Sequence, residues 1–521
     1  MSLASGVGMA RVRRAVVRAA DAVSRATVSG LPVLAWVIAA VMAALLLALA
    51  SAYGFHRDEL YFIVAGRHPD FGYVDQPPLT PLLSAAAAGL LGVTPLAVRL
   101  SPALTAVVVV VLAADMARRL GASRSGQVLA ALVLAISGWL AAGHLDETAT
   151  YDVLFWTLAF WLLIPLLDRG GEDVRDGRWR WLALGLVVGI ALENKTLAIA
   201  VPATVGASLL LLRRWNVLGS RWPWLAALLA TVIWAPNIAW QATHGFTQIQ
   251  MAQHIASEQG GLGGRVKALE ELLALAGPLL FPVAVAGVIW LLRSPHSRPW
   301  RPLGLAALLQ IGLMIAVGGK SYYSAGLLPL SIAAGSIPLS GWLRGGRPIL
   351  RRTLFGLSAA LSGTTAALLV LPIVPVTALQ STPIPAIYGE SIAQVGWPEL
   401  AAQVAQVADA LPPAERLRTI IVTRTYGEYS ALTLLGSHLP PVFSGHNSTY
   451  DWGRPADGAR PVILVAFSPA DAAASFEGCR VAATIDNGYA LQTEEEGAPI
   501  LVCTGPRRPW AELWPELRHV D

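Results

Sequence analysis

The chain has 521 residues, of which 55% are hydrophobic and only 14% are charged, and its formal net charge is +5. A soluble globular protein carries about 25% charged residues, so the composition excludes a water-soluble protein with one core and makes lipid the solvent for much of the chain. The positive charge does not indicate nucleic-acid binding, because the arginines form short clusters between apolar runs, as membrane topology requires.

Eleven apolar runs are long enough, or nearly so, to cross a bilayer as helices, which takes about 20 residues. Helices are expected because each backbone amide in hydrocarbon must be satisfied within its own segment. The first run follows a basic stretch, as in a signal peptide, but it is too long and lacks a clear cleavage site, so a retained span is predicted. The predicted spans are 31–52, 97–115, 126–143, 150–167, 179–194, 196–212, 222–240, 270–292, 302–318, 322–340 and 353–376.

Basic residues are distributed unevenly between alternate loops. One set of loops holds 22 arginines, whereas the other set, before residue 377, holds seven basic residues. The positive-inside rule therefore predicts a multi-pass cell-membrane protein with a cytoplasmic N-terminus, and an odd number of spans then places the C-terminus outside. The seven basic residues of the outer set are Arg57, Arg67, Arg99, Lys195, Arg265, Lys267 and Lys320.

The composition changes after about residue 376, which separates a predicted transmembrane domain, 1–376, from a predicted α/β domain, 377–521. The second part has turn-rich stretches, β-like runs at Thr419–Val422 and Val462–Val465, and an amphipathic stretch at Trp510–Leu517. A helical pattern follows Tyr426. This pattern predicts a small domain outside the membrane.

The two cysteines of the chain, Cys479 and Cys503, both lie in this second part. No further ligands are spaced for a zinc site. Because this end of the chain is predicted to lie outside the cytoplasm, a disulfide between the two cysteines is expected.

The first outer loop, residues 53–96, contains adjacent acids at Asp58 and Glu59. On a helix these side chains would point about 100° apart, so two separate roles are expected rather than a carboxylate dyad. One acid could abstract a proton from an acceptor hydroxyl, and the other could order the loop or hold a cation. A solvated acidic pair at a helix end is the alternative. Arg57 and a further acid at Asp75 favour the functional interpretation.

An apolar run between Pro81 and Val93 is too short to span a bilayer and predicts a helix along the membrane surface. In the second outer loop, Asp152 stands at the start of a predicted span, where capping and catalysis are equally compatible with the pattern. Loop or capping roles are expected for Asp146 and Glu147.

Only three of the 38 basic residues are lysines, and all three lie on the predicted outer side. Lys195 and Lys320 each interrupt apolar sequence, where ionisable groups are costly and usually functional. Lysine is a compact partner for phosphate, and snorkelling to the interface is the alternative. Lys267 lies in a polar loop and is expected to have no special role. His244, at the end of a span, could bind a metal or a sugar, although such a histidine is more often structural.

Taken together, these residues resemble bacterial glycosyltransferase family 39, the protein-mannosyltransferase-like branch of the GT-C superfamily. The matching motifs occur in order over nearly the whole chain, and together they are specific. They are Asp58-Glu59-Leu60-Tyr61, the stretch 72–79 with its Asp-Gln-Pro-Pro, Gly143-His144, Asp152, Asn194-Lys195, Trp240-Gln241, His244-Gly245, Lys320-Ser321-Tyr322-Tyr323, the stretch 444–448 and Trp452-Gly453.

The resemblance implies a mainly α, polytopic membrane protein of GT-C type. It also implies that a polyprenyl-phosphate-linked sugar is transferred outside the cytoplasm, usually with inversion. Asp58 would be the leading base with Glu59 in support, Asp75 and Asp152 would share the cavity, and Lys195 would face the donor phosphate. The implied substrate-binding residues are Arg57, Tyr61, Asp75, Gln76, Lys195, His244, Lys320, Tyr322 and Tyr323.

A divalent cation, Mg²⁺ or Mn²⁺, could share the stabilisation of the leaving phosphate, with Asp58, Glu59, Asp75 and His244 as candidate ligands. The expected partners are the lipid-linked donor, membrane lipids and a protein, lipid or glycan acceptor.

This sequence departs from the family pattern in an acidic stretch at 145–151, at Gly326 and at Thr196, which leaves the sugar and the acceptor open. A transporter or flippase of lipid-linked sugars is the first alternative function. It would be expected to show internal repeats and a binding site near the bilayer midplane, and neither is evident. A protein that only recognises wall glycans is the second alternative, although eleven spans are excessive for an anchor.

Overall fold

The computed structural model describes residues 30–168, 174–258 and 261–520. Within them, six helices are long and apolar enough to cross a membrane, and five shorter apolar helices accompany them. A multi-pass membrane protein is therefore confirmed, whereas the count of eleven spans and the orientation stay predictions. Several arginines behind that orientation lie outside the described residues, namely Arg11, Arg13, Arg14, Arg18, Arg25, Arg169 and the side chain of Arg175.

Fourteen described helices precede residue 300, and the second of them carries the first motif. In chain order the helices are α1 (Val33–Leu49), α2 (Arg57–Arg67), α3 (Leu79–Leu91), α4 (Pro95–Arg119), α5 (Arg124–Ala135), α6 (Trp139–His144), α7 (Thr148–Asp168), α8 (Val174–Leu192), α9 (Ala200–Leu211), α10 (Trp215–Leu218), α11 (Arg221–Thr243), α12 (Thr247–Glu258), α13 (Gly261–Leu275) and α14 (Phe281–Arg293). Short 3₁₀ turns occupy Thr196–Ile199 and Arg298–Trp300.

The remaining helices become short after residue 370. They are α15 (Arg301–Val317), α16 (Leu328–Arg344), α17 (Pro348–Val370), α18 (Val376–Leu379), α19 (Ile384–Ile387), α20 (Trp397–Asp409), α21 (Pro413–Arg416), α22 (Tyr426–Leu435), α23 (Pro469–Ser475) and α24 (Trp510–Leu513), with 3₁₀ turns at Ser321–Leu327, Gly389–Gln394, Asn447–Trp452 and Trp514–Leu517. The predicted surface helix is present as α3, two residues earlier at each end than expected.

Two predicted spans, 126–143 and 270–292, are wrong as single helices. The first is divided at residues 136–138 between α5 and α6, and the second at residues 276–280 between α13 and α14. The two breaks meet, because the Gly138 amide donates to the Leu275 carbonyl at 2.9 Å. Gly277 has a φ of 99° and precedes Pro278, so a helix cannot continue there. Backbone groups freed at one break are thus satisfied by the other.

The C-terminal segment, residues 377–520, contains all seven strands. They are β1 (Ile420–Thr423), β2 (Val442–Ser444), β3 (Val462–Val465), β4 (Phe476–Glu477), β5 (Arg480–Thr484), β6 (Pro499–Cys503) and β7 (Gly505–Pro506). Five of them form a sheet of order β2-β1-β3-β6-β5, and β4 pairs with β7. The first three strands of that order are parallel, and β6 and β5 join antiparallel. The predicted small α/β region is confirmed, and Cys479 and Cys503 form a disulfide.

The protein has a large hydrophobic core among its membrane helices and a second one that packs the C-terminal segment against them. The second core joins Leu60 and Ile63 of α2 to Val404 of α20 and Ile421 of β1. Since this core contains residues from both sides of position 376, the division into two domains stays a prediction. The consequence for the site is direct, because the sheet is packed against the helix that carries Asp58.

Candidate active site

Helix α2 begins at the first motif because side chains at its N-terminus cap the first turn. The His56 side chain accepts a bond from the Asp58 amide, and the Glu59 side chain accepts one from the His56 amide at 2.8 Å. This capping box satisfies amides that would otherwise lack partners. Two acids in the first turn also complement the positive end of the helix dipole. The local sequence therefore fixes where Asp58 and Glu59 stand.

Glu59 is fully buried and paired with Arg99, whose Nε and Nη2 donate to its two carboxylate oxygens at 2.8 Å each. The Asp146 amide donates to Glu59 as well, at 3.1 Å. Arg99 also binds the carbonyl oxygens of Ala50 and Gly54. The pair therefore joins the start of α2 to three other parts of the chain. Of the two roles considered for Glu59, this geometry favours ordering of the loop.

Asp58, in contrast, is 30% exposed and only partly engaged. The Tyr426 hydroxyl donates to its Oδ1 at 2.7 Å, and Arg57 Nε lies 3.9 Å from the same oxygen. Among the described residues, its Oδ2 has no hydrogen-bond partner. The adjacent acids thus differ as the sequence suggested. Both carboxylate oxygens of Glu59 are hydrogen-bonded within the fold, whereas Asp58 keeps one oxygen without a partner among the described residues.

Three consecutive residues at this helix end each take a partner from the C-terminal segment. His56 Nε2 lies 2.9 Å from Glu390, and Arg57 Nη1 donates to Glu494 at 2.7 Å. The third pair is the hydrogen bond from Tyr426 to Asp58. Sequence reasoning missed all three partners. The only available signal was the helical pattern after Tyr426, which predicts a helix and does not reveal what its first side chain contacts.

The His56–Glu390 pair is predicted to make stability depend on pH. Burial alone would lower the pKa of His56, but the bond to Glu390 and nearby negative charges raise it to about 9, and the same bond lowers the pKa of Glu390 to about 2. The stabilisation that this ion pair provides is complete between about pH 4.5 and 6.5. It is lost as the pH rises through about 9, where His56 loses its proton, and as the pH falls toward about 2, where Glu390 gains one. The melting temperature of the wild type should therefore fall more between pH 6.5 and 10 than that of Glu390→Gln. Parallel curves for the two proteins would contradict this assignment.

Asp75 lies next to the aromatic side chain of Tyr61. The hydroxyl of Tyr61, a buried residue of α2, donates to Asp75 Oδ1 at 2.9 Å. Burial raises the pKa of Asp75 to about 6. The neighbouring Gln76 is also buried, and its Nε2 has no partner within the described part of the chain. The structure therefore brings Asp75 and Tyr61 together, and Asp75 interacts electrostatically with Asp58.

A cationic side chain, Lys195, stands where α8 ends and the Thr196–Ile199 turn begins. Lys195 Nζ lies 4.8 Å from the ring of Tyr322 and 4.7 Å from that of Tyr323, within range for cation–π attraction. The preceding Asn194 fixes this break, since it accepts from Thr80 at 2.6 Å and donates to the Thr148 carbonyl at 2.9 Å. The sequence-predicted lysine and tyrosines are thus neighbours.

Asp152 is buried one turn before Trp156, whose Nε1 donates to it at 3.1 Å. Asp152 and Lys195 attract each other, and Lys195 is repelled by Lys320. Lys195 therefore interacts with both Asp152 and Lys320. Because α7 begins at Thr148, Asp152 lies beyond its first turn and is not the capping residue.

Glu147 is a site residue that the sequence interpretation placed among loop residues. Within the described residues its carboxylate makes no hydrogen bond, yet it interacts electrostatically with His56, Asp58 and Lys195. Burial raises the pKa of Glu147 to about 7. Its neighbour Asp146 differs, because Ser84 and Tyr151 donate to it at 2.5 and 2.6 Å. The expected structural role therefore suits Asp146, whereas Glu147 interacts both with Asp58 and with the cationic Lys195.

The four candidate metal ligands do not assemble into a metal site in this structure. Across the described ranges, no group of three or more His, Cys, Asp or Glu side chains is placed to hold an ion. His244 is exposed and stacks on Trp240 at a ring separation of 3.9 Å, with Nδ1 2.8 Å from the Trp240 carbonyl oxygen. The divalent cation therefore stays a prediction, and no step of the mechanism below depends on it.

Comparison with known proteins bears on the fold of this chain. Residues 75–240 match the family described as dolichyl-phosphate-mannose-protein mannosyltransferase. The structure of ArnT from Cupriavidus metallidurans bound to undecaprenyl phosphate matches this chain with a TM-score of 0.58 at 14% identity. The match covers 90% of this chain and 97% of the ArnT chain. The chain is a multi-pass membrane protein whose fold is similar to that of this ArnT. The apo structure of the same ArnT gives a TM-score of 0.57.

A second GT-C neighbour is more distant. The archaeal oligosaccharyltransferase AglB from Archaeoglobus fulgidus, in complex with an inhibitory peptide and a dolichol-phosphate, has a TM-score of 0.50 and 12% identity, over 77% of this chain and 63% of that chain. No curated protein matches the sequence. At these identities the likeness establishes the GT-C fold, and the chemistry must be argued from the residues of this chain.

Proposed function

We propose that this GT-C protein is a glycosyltransferase that moves a sugar from a polyprenyl-phosphate-linked donor to a hydroxyl group of an extracytoplasmic acceptor. The arrangement that carries the proposal is a carboxylate at Asp58, a cation at Lys195, and a buried Glu147 that interacts electrostatically with both. A base and a phosphate partner are the two groups that such a transfer requires. The donor class is supported by ArnT and AglB, which were solved with undecaprenyl phosphate and dolichol-phosphate.

The proposed reaction is a single displacement at the anomeric carbon. The acceptor hydroxyl gives its proton to Asp58, and its oxygen forms the new bond to the anomeric carbon. The bond between that carbon and the phosphate oxygen breaks at the same time, and its electron pair leaves with the polyprenyl phosphate. Attack opposite the leaving group inverts the configuration of the sugar.

The other residues have supporting roles in this proposal. Lys195 stabilises the charge that develops on the leaving phosphate, and Lys320, Tyr322 and Tyr323 line the side on which the carrier lipid lies. Asp75, Asp152 and Tyr61 shape the sugar side of the cavity, with Arg57, Gln76 and His244 as further substrate contacts. Glu59 keeps the loop that carries Asp58 in place. The cytoplasmic N-terminus, the eleven spans and the outer location of the C-terminal segment belong to the same proposal.

Replacement of Lys195 by Gln is expected to lower kcat/KM for the lipid-linked donor about a hundredfold, the typical effect of losing one preorganised group that stabilises developing charge. Glutamine keeps most of the length and removes the charge. The matched control is Lys267→Gln, because Lys267 is exposed and lies 3.8 Å from Glu271 on its own helix. Initial transfer rates at varied donor concentration measure both variants. Equal losses in the two variants would remove Lys195 from the reaction.

The function itself is tested with purified wild-type protein in proteoliposomes. Radiolabelled undecaprenyl-phosphate hexoses and pentoses serve as donors, with hydroxyl-bearing peptides, glycans and water as acceptors. Release of undecaprenyl phosphate together with a labelled product supports the proposal. Movement of the labelled donor between leaflets without any transfer, for every donor, would replace the proposal with a flippase.

A further inference from the structure

Tyr426 belongs to the C-terminal segment, yet its hydroxyl reaches the proposed base. The hydroxyl donates to Asp58 Oδ1 at 2.7 Å, across 368 residues of sequence. Because a phenol is a donor with a single hydrogen, this bond occupies one carboxylate oxygen and leaves the other without a partner among the described residues. A carboxylate held in this way has a defined orientation, and its second oxygen can accept a proton.

The position of Tyr426 is fixed on several sides. Thr425 and Glu428 form a capping box that starts α22 at this residue, and the Tyr426 amide donates to His446 Nδ1 at 3.2 Å. Its ring packs against Tyr61 of α2 with centroids 4.7 Å apart. A tyrosine constrained at its backbone and its ring cannot follow a moving carboxylate. The hydrogen bond therefore restrains Asp58.

Gly427 lies where α22 approaches both the start of α2 and the Trp397 ring of α20. A Cβ atom added to Gly427 would lie 3.1 Å from the Trp397 ring and 3.5 Å from the Cβ of Arg57. The side chain that follows Tyr426 is thus absent where the two helices meet. This contact brings the Tyr426 hydroxyl to a residue in the first turn of α2.

We propose that Tyr426 is a positioning residue for the transfer reaction, which holds the carboxylate of Asp58 in place and orients its free oxygen toward the acceptor hydroxyl. This inference rests on the proposed function and extends it to the C-terminal segment. A hydrogen bond donated to a charged group is about twice as strong as one between neutral groups, so the loss of one hydroxyl should be measurable. Tyr426 does not take part in the proton transfer itself.

The pH dependence of the reaction distinguishes positioning from simple packing. Removal of the hydroxyl deletes a hydrogen-bond donor to the proposed base, so the acidic limb of the kcat/KM profile should move to higher pH, whereas a change in packing alone should leave it in place. Tyr426 is not the only group that influences Asp58 electrostatically. The other titratable and charged groups that do so are His56, Arg57, Asp75, Glu147 and Tyr322.

The test compares Tyr426→Phe with Tyr429→Phe in the proteoliposome assay, with the donor to which the wild type responds. Tyr429 is a matched control because it lies on the same helix, its hydroxyl interacts with Thr433 one turn later, and its ring packs on Trp452. The expected result for Tyr426→Phe is a kcat about tenfold lower with the KM for donor nearly unchanged, together with the shifted acidic limb. Tyr429→Phe should match the wild type in both.

Two outcomes would overturn the inference while leaving the proposed function intact. The first is a Tyr426→Phe protein with wild-type kcat and wild-type pH profile. The second is a lower melting temperature with an unshifted profile, since that result describes packing alone. Absence of transfer in the wild type would instead overturn the proposed function.

Discussion

Asp58→Asn is expected to lower the rate of sugar transfer by a factor of about 10²–10⁴, the range attributed to a general base. Asparagine has nearly the same shape as aspartate, and its Oδ1 can still accept the bond from Tyr426. The variant should therefore fold and bind donor normally, so that kcat falls and the KM for donor is retained. Initial rates of undecaprenyl phosphate release in proteoliposomes provide the measurement.

The control for this variant is Asp70→Asn. Asp70 lies in the same loop, is exposed, and accepts a bond from the Phe71 amide at 2.7 Å. Its neutralisation changes the net charge by the same amount without touching the cavity. Wild-type transfer by Asp58→Asn would exclude Asp58 as the base. Equal losses in both variants would indicate that charge alone, rather than proton abstraction, sets the rate.

Arg99→Leu is expected to destabilise the protein by about 3–5 kcal/mol, the typical cost of removing one partner of a buried ion pair. The substitution leaves the buried Glu59 carboxylate without the guanidinium that binds both of its oxygens. The carbonyl oxygens of Ala50 and Gly54 also lose the hydrogen bonds that Arg99 donates to them. A fall in the melting temperature of the detergent-solubilised protein, followed by tryptophan fluorescence, measures the effect.

Two comparisons sharpen this result. Arg416→Leu removes an exposed pair with Asp409 and should change stability by no more than about 1 kcal/mol. The double variant Arg99→Leu with Glu59→Leu should be more stable than Arg99→Leu alone, because it removes the unpaired buried charge. An Arg99→Leu protein that melts like the wild type would show that the pair does not hold the loop.

Much of the fold follows from local pattern. Long apolar runs predicted membrane helices because their burial requires no knowledge of partners, and Val462–Val465 was predicted as the strand that the structure contains. The breaks inside spans 126–143 and 270–292 were missed. Hydropathy averages over a window, and Gly277-Pro278 alone does not show that Leu275 will receive the Gly138 amide.

The candidate site was predictable where its residues share a local motif. Asp58, Asp75 and Lys195 stood out because charged groups are rare in this chain, and that argument needs no structure. Glu390, Tyr426 and Glu494 could not be found in the same way, since their contacts with α2 cross 334, 368 and 437 residues. Nothing in their own neighbourhoods distinguishes them from ordinary surface residues.

The three contacts made by His56, Arg57 and Asp58 also set an order of events during synthesis. The ribosome completes every membrane helix before it makes Glu494, the partner of Arg57. A nascent chain with all its helices inserted therefore still lacks the partners that hold the start of α2. The site is finished only by the last hundred or so residues, so an interrupted chain stays incomplete at the residue proposed to act as base, however well its helices are embedded.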